Sequence, residues 1–66
     1  MAQFDAELKL PEDFAAALEA HPEARKRFAA LPHGLKRHHV LDIEAATTEE
    51  TRQRRIEKAI AALLAL

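Results

Sequence analysis

The stretch Thr51-Arg52-Gln53-Arg54-Arg55-Ile56-Glu57-Lys58-Ala59-Ile60 decides the fold class of this 66-residue chain. Four cations crowd a segment whose apolar positions, Ile56, Ala59, Ile60, Leu63 and Leu64, recur at helical spacing. That periodicity predicts an amphipathic helix with a broad apolar face and a basic shoulder. Just upstream, Thr47-Thr48-Glu49-Glu50 has the form of a capping box. In it, Thr47 would accept the backbone N–H of Glu50, whose carboxylate would reach back.

Working towards the N-terminus, a helix is expected from the Leu31-Pro32-His33-Gly34 break to about Ala46. Leu35, His39, Ile43 and Ala46 form its expected inner stripe, with Val40 at the edge and Leu41 left outside. His21-Pro22-Glu23 starts another helix, with Ala24, Phe28 and Leu31 on one side and Arg25, Lys26 and Arg27 around them. Pro11 starts the first, because its missing N–H is harmless in a first turn, where Glu12 and Asp13 complement the positive helix end. Phe14, Leu18 and Ala15 face inward. Ahead of it, Gln3–Leu10 alternates polar and apolar residues with a period of two, the pattern of an extended arm or strand. A lone strand has no ladder partner, so this arm must dock, pair with another copy or stay mobile. The expected architecture is therefore all-α: an arm over residues 1–10, then four short helices over residues 11–66.

Length restricts what such a bundle can do alone. A chain this short buries only about 60% of its unfolded surface, and its core rarely supplies more than roughly 3–5 kcal/mol. With no cysteine there is neither a disulfide staple nor a thiolate metal site. Stability must come from well-packed helices or from burial against a second chain. No apolar run approaches the roughly 20 residues of a membrane-spanning helix, and no signal peptide is visible, so a cytoplasmic location is expected.

The net charge of −1 conceals a strong asymmetry. Residues 1–23 carry six acids against Lys9, residues 24–41 carry five cations and no acid, and the remainder is near balance. Such blocks favour intramolecular or partner complementarity over general polyanion binding.

Three blocks of the sequence resemble the bacteriocin-protection, YdeI/OmpD-associated domain family. They are Leu10-Pro11-Glu12-Asp13-Phe14 with Ala17-Leu18, then Pro22-Glu23-Ala24 with Phe28 and Leu31, and finally Glu50-Thr51-Arg52 running through Arg54-Arg55-Ile56 to Lys58-Ala59-Ile60. Together they cover nearly all of residues 10–64. The pattern departs between Lys36 and Ala46, where the family usually carries a tyrosine and a tryptophan-isoleucine pair and this chain has His39 and Asp42-Ile43. The resemblance implies a small helical module associated with resistance to bacteriocins or antimicrobial peptides. It supplies no catalytic machinery to carry over.

The residues themselves leave two functional readings open. One is a non-enzymatic protein-interaction module with a protein partner or a second copy of itself, using the surplus apolar residues Phe4, Leu8, Leu41 and Leu66. The other is an anionic ligand or nucleic acid on the basic shoulder: Lys36, Arg37, Arg52, Arg54, Arg55 and Lys58. Against nucleic acid stand the negative net charge and the scarcity of aromatics. The arginines also have a purely structural reading, in which Arg52 and Arg55 lie across the core edge and pair with Glu12, Asp13 or Asp42. His38 and Asp42 share a helix side at four-residue spacing, yet two such ligands make a poor zinc site, so no metal or other cofactor is expected. The plainer expectation is a surface His38–Asp42 contact, with His39 in an aromatic slot at the core edge. Without cysteine, serine, tyrosine or a glycine-rich phosphate loop, no enzymatic role is expected.

Overall fold

The computed structural model describes residues 9–66 and contains four helices: α1 (Glu12–Ala20), α2 (Pro22–Ala30), α3 (His33–Glu44) and α4 (Glu49–Leu64). Of the alternating segment Gln3–Leu10, residues 3–8, with Phe4 and Leu8, lie outside the described residues. Among those residues the chain is all-α.

Proline sets the first three helix starts. Pro11 and Pro32 immediately precede α1 and α3 with extended ψ values of 144° and 153°, and Pro22 is the first residue of α2. One residue, His21, separates α1 from α2; its N–H donates to the Leu18 carbonyl at 3.1 Å, and its φ of −130° turns the chain. Gly34 stands in the first turn of α3, so the break between α2 and α3 narrows to Leu31 and Pro32.

The cap of α4 falls one residue later than the capping-box expectation. Thr48, not Thr47, is the N-cap: its hydroxyl oxygen accepts the Thr51 N–H at 3.2 Å and donates to the Thr51 hydroxyl at 2.9 Å. Glu49 and Glu50 then occupy the first turn, where carboxylates complement the helix dipole.

α4 is the hub. It packs on α1, α2 and α3; α1 also packs on α2, whereas α3 rests chiefly on α4. Phe14 and Ile43 are completely buried and Leu63 nearly so, joined in one core by Leu18, Phe28, Ile56 and Ile60 with small residues Ala24 and Ala59 between them. Phe14 and Phe28 meet edge to face with ring centroids 5.4 Å apart, a favoured aromatic geometry. Among the described residues no polar or charged residue is buried. The fold is thus held by apolar packing alone at its centre, and all charge chemistry lies at the margins.

Two expected apolar-face positions differ. Leu64, one residue past Leu63 at the end of α4, is 44% exposed. In the α3 stripe, Leu35 is 50% exposed, while Lys36 is half-buried and Val40 buried. Stepping every fourth residue along a helix drifts about 40° per step, so Leu35 lies about 80° from Ile43. The true inner face follows Lys36, Val40 and Ile43, with the Lys36 stem covering apolar surface. Leu41 is 49% exposed, on the outside as its spacing requires.

Candidate functional site

The arginines of α4 divide by what each guanidinium touches. Arg52 reaches α1: its Nε and Nη2 donate to the two carboxylate oxygens of Asp13 at 2.8 and 3.0 Å. Its Nη1 also donates to the Ile43 carbonyl of α3 at 3.4 Å. This is the planar fork-to-carboxylate match that arginine makes and lysine cannot. Asp13 accepts the Phe14 N–H at 2.9 Å as well. The bond from Arg52, supplemented by that N–H, holds the Asp13 carboxyl below its ordinary 3.8 despite partial burial. In return, the same bond holds Arg52 protonated beyond the usual range.

Arg55, almost one turn further along α4, behaves differently. Its Nη1 donates to the Asp42 carbonyl at 2.7 Å and lies 3.6 Å from the Asp42 carboxylate. Among the described residues, its Nε and Nη2 have no hydrogen-bond partner. Arg54 points elsewhere, making an exposed bridge of 3.1 Å to Glu50, one turn earlier in the same helix.

Two of these contacts answer a question that the sequence of α3 leaves unanswered. A helix ends with carbonyls that lack intrahelical partners, and cations in its own last turn often serve them. α3 has no basic residue in its last turn. Instead, Arg52 and Arg55 of α4 serve the carbonyls of Ile43 and Asp42. The end of α4 repeats the device. It too lacks a basic last turn, and Arg27 of α2 donates from Nη1 towards the carbonyls of Leu63, Leu64 and Leu66 at 3.2, 2.9 and 3.1 Å. Sequence reasoning placed Arg27 simply among surface cations; its partners lie 36 to 39 residues away, beyond the reach of any local pattern. Arg27 also pairs with Glu23 at 3.3 Å, and Arg25 with Glu19 at 3.8 Å, so part of the acidic and basic block complementarity is satisfied within the chain.

Beside Arg55 runs an open cleft of about 310 Å³ along the α3–α4 seam, lined by His38, His39, Asp42, Arg55, Lys58 and the small residues Ala59 and Ala62. His39 is half-buried, its ring 6.3 Å from that of Phe28 and 6.1 Å from that of His38. It occupies the aromatic slot expected at the core edge. Burial, reinforced by the charge of His38 and opposed by that of Asp42, lowers its pKa below 6.5. Asp42 makes its ion pair with Arg55; among the described residues no His38–Asp42 pair forms. Nor, among them, do three His, Asp or Glu side chains gather as a metal site would require.

The six cations singled out from the sequence therefore do not converge. Arg55 and Lys58 share the α3–α4 cleft. Lys36 lines a separate groove of about 270 Å³ with Leu10, Leu18, Glu19, Arg25 and Phe28. Arg52 is engaged by Asp13, Arg54 by Glu50, and Arg37 is exposed on α3.

A small α-helical module with arginine-capped helix ends and, among the described residues, no buried charge is the class that this geometry defines. The family model for bacteriocin-protection, YdeI or OmpD-associated proteins matches residues 7–65, and the chain belongs to that family. No curated protein and no solved structure matches it. None of the four helices is long and apolar enough to cross a membrane.

Proposed function

We propose that this chain is a non-enzymatic protein-interaction module of bacterial bacteriocin protection, working in the cytoplasm as part of a stress response. The observation that carries the reading is aliphatic surface left uncovered on a very small domain. Leu35, Leu41, Leu64 and Leu66 are 50%, 49%, 44% and 72% exposed. Isolated exposed leucines are ordinary, but four on a chain of 66 residues are a large share of its aliphatic side chains. A domain whose own core is limited by size gains most from burying such residues against a protein surface. Family membership supports the setting, since the family is named for bacteriocin protection.

The test combines two measurements on the wild type and on a Leu35→Glu/Leu41→Glu variant. Sedimentation over a wide concentration range is expected to show self-association that the variant loses. Failing that, affinity capture from bacterial lysate is expected to retain a defined protein on the wild type only. A strict monomer with identical capture by both chains contradicts the proposal.

A further inference from the structure

We propose that the α3–α4 cleft is a binding site for a small oxyanion of the phosphate or carboxylate class, gripped by the Nε–Nη2 edge of Arg55 and by Lys58. The inference concerns a different surface from the exposed leucines and does not depend on them.

The geometry that leads to it is the contrast between Arg52 and Arg55. A guanidinium carries five N–H donors in a fixed plane. Arg52 engages all three of its nitrogens with Asp13 and Ile43. Among the described residues Arg55 engages only Nη1, on the Asp42 carbonyl, with the Asp42 carboxylate next to it. That anchor fixes the guanidinium to the end of α3, and among the described residues nothing occupies its Nε–Nη2 edge. Two parallel N–H groups on one edge are the donor pair that a carboxylate or phosphate accepts in bidentate fashion. Arginine supplies this pre-organised fork at lower ordering cost than a flexible ammonium would.

The surroundings fit the same ligand class. Lys58 stands three residues after Arg55, on a neighbouring side of α4, lines the same cleft and has no ion-pair partner among the described residues. His38 lines the cleft from α3. Asp42 contributes the single acid of the lining, and its carboxylate is already turned to Arg55, so the fixed charges of the cleft favour an anion. Burial lowers the pKa of His39 below 6.5, which favours its uncharged ring. The volume, about 310 Å³, stands at the lower limit for ligand pockets and suits a small molecule. An extended polyanion would need cations in a continuous track, whereas Lys36 lines a separate groove and Arg52 is engaged by Asp13.

The experiment is an amide ¹H–¹⁵N titration of the full chain with inorganic phosphate, with acetate in a parallel arm and chloride at matched ionic strength as reference. Saturable shifts are expected around His38, Asp42, Arg55 and Lys58. Whichever of phosphate and acetate saturates at lower concentration identifies the ligand class. Lys58→Ala, at an exposed position that keeps the fold, is expected to weaken binding about tenfold, the loss of roughly one charge-assisted hydrogen bond. Arg55→Lys should weaken it as well, because charge without the fork is insufficient. Arg54→Ala, outside the cleft, should leave it unchanged. Shifts that do not saturate, that chloride reproduces, or that Arg54→Ala diminishes as much as Lys58→Ala overturn the proposal.

Discussion

At the junction of α1 and α4, Arg52 commits every guanidinium nitrogen: two to Asp13 and one to the Ile43 carbonyl. At the α3–α4 seam, Arg55 commits one nitrogen to Asp42 and borders an open cleft. The two residues sit in one basic run, three positions apart, and a helix turns them towards different partners. The first region is closed by its own chemistry: Phe14 is completely buried directly after Asp13, and the ion pair covers the edge of that burial. The second region rests on one packed face of α3, and among the described residues two Arg55 nitrogens have no hydrogen-bond partner. Residue type alone therefore does not assign a role to an arginine. What counts is how many of its donors the fold has already used.

Truncating the core beneath the closed region should have the largest effect. Phe14→Ala removes a ring with no exposed surface and its edge-to-face contact with Phe28. Such changes cost about 3–5 kcal/mol, comparable to the whole stability of a domain this small. The variant is expected to be largely unfolded by far-ultraviolet circular dichroism at 25 °C. A folded Phe14→Ala chain would mean that the α1 side is not where stability resides.

The arginines themselves come next. Arg52→Ala leaves Asp13 without its fork and Ile43 with one acceptor contact fewer, so its urea midpoint should fall clearly. Arg55→Ala should lower it less, and Arg54→Ala hardly at all, since an exposed pair one turn apart contributes only about 0.3–0.5 kcal/mol. An equal loss for Arg52 and Arg55 would erase the distinction between the two regions.

A change in the opposite direction sharpens the α3 side. Gly34 lies in the first turn of α3 at negative φ, and a methyl group there would meet nothing within 4 Å. Gly34→Ala is expected to raise stability by about 0.4–1 kcal/mol, mainly by restricting the unfolded chain. Chemical denaturation with unchanged cooperativity would register it.

The smallest effect is a pH dependence with one sign in both regions. The folded pKa of His39 lies below 6.5, so protons bind the unfolded chain more readily. The contribution of its uncharged ring is complete above 6.5 and is lost as pH falls through the lower folded value. The Asp13 carboxylate behaves likewise from 3.8 downward, because Arg52 depresses its folded pKa. The urea midpoint should therefore decline as pH falls below 6.5, and His39→Gln should flatten that decline. A midpoint that rises on acidification would contradict the assigned direction.

Much of this organisation was legible in the residues. The prolines at 11 and 22 marked two helix starts and the one at 32 a break before the third, because proline's fixed φ and missing N–H suit a first turn and not a helix interior. The apolar stripes of Phe14–Leu18 and Ile56–Leu63 marked the core, and the structural reading of the arginines named Asp13 and Asp42 among their partners. Four readings slipped: the cap frame; Leu35; Leu64, which is exposed at the end of its stripe; and the His38–Asp42 contact, which Arg55 displaces. Thr47 and Thr48 stand side by side before two glutamates, so two capping frames fit; the one that also joins two hydroxyls, Thr48 and Thr51, is adopted. Leu35 follows the four-residue spacing to His39 and Ile43, but the accumulated drift carries it off the face that meets α4. The capping of one helix by an arginine of another, and the splitting of six cations among different neighbours, are tertiary facts. No local spacing encodes that Arg27 ends beneath Leu64.

The most direct measurement follows the arginine side chains themselves, through hydrogen exchange of their Nε–H groups by nitrogen-15 NMR. Arg52 Nε–H, bonded to Asp13 at 2.8 Å, should exchange slowly and give a resolved signal, whereas Arg55 Nε–H should exchange rapidly in the absence of a bound anion. Equal protection of both, or slow exchange at Arg55 alone, would contradict the account of one committed and one available guanidinium.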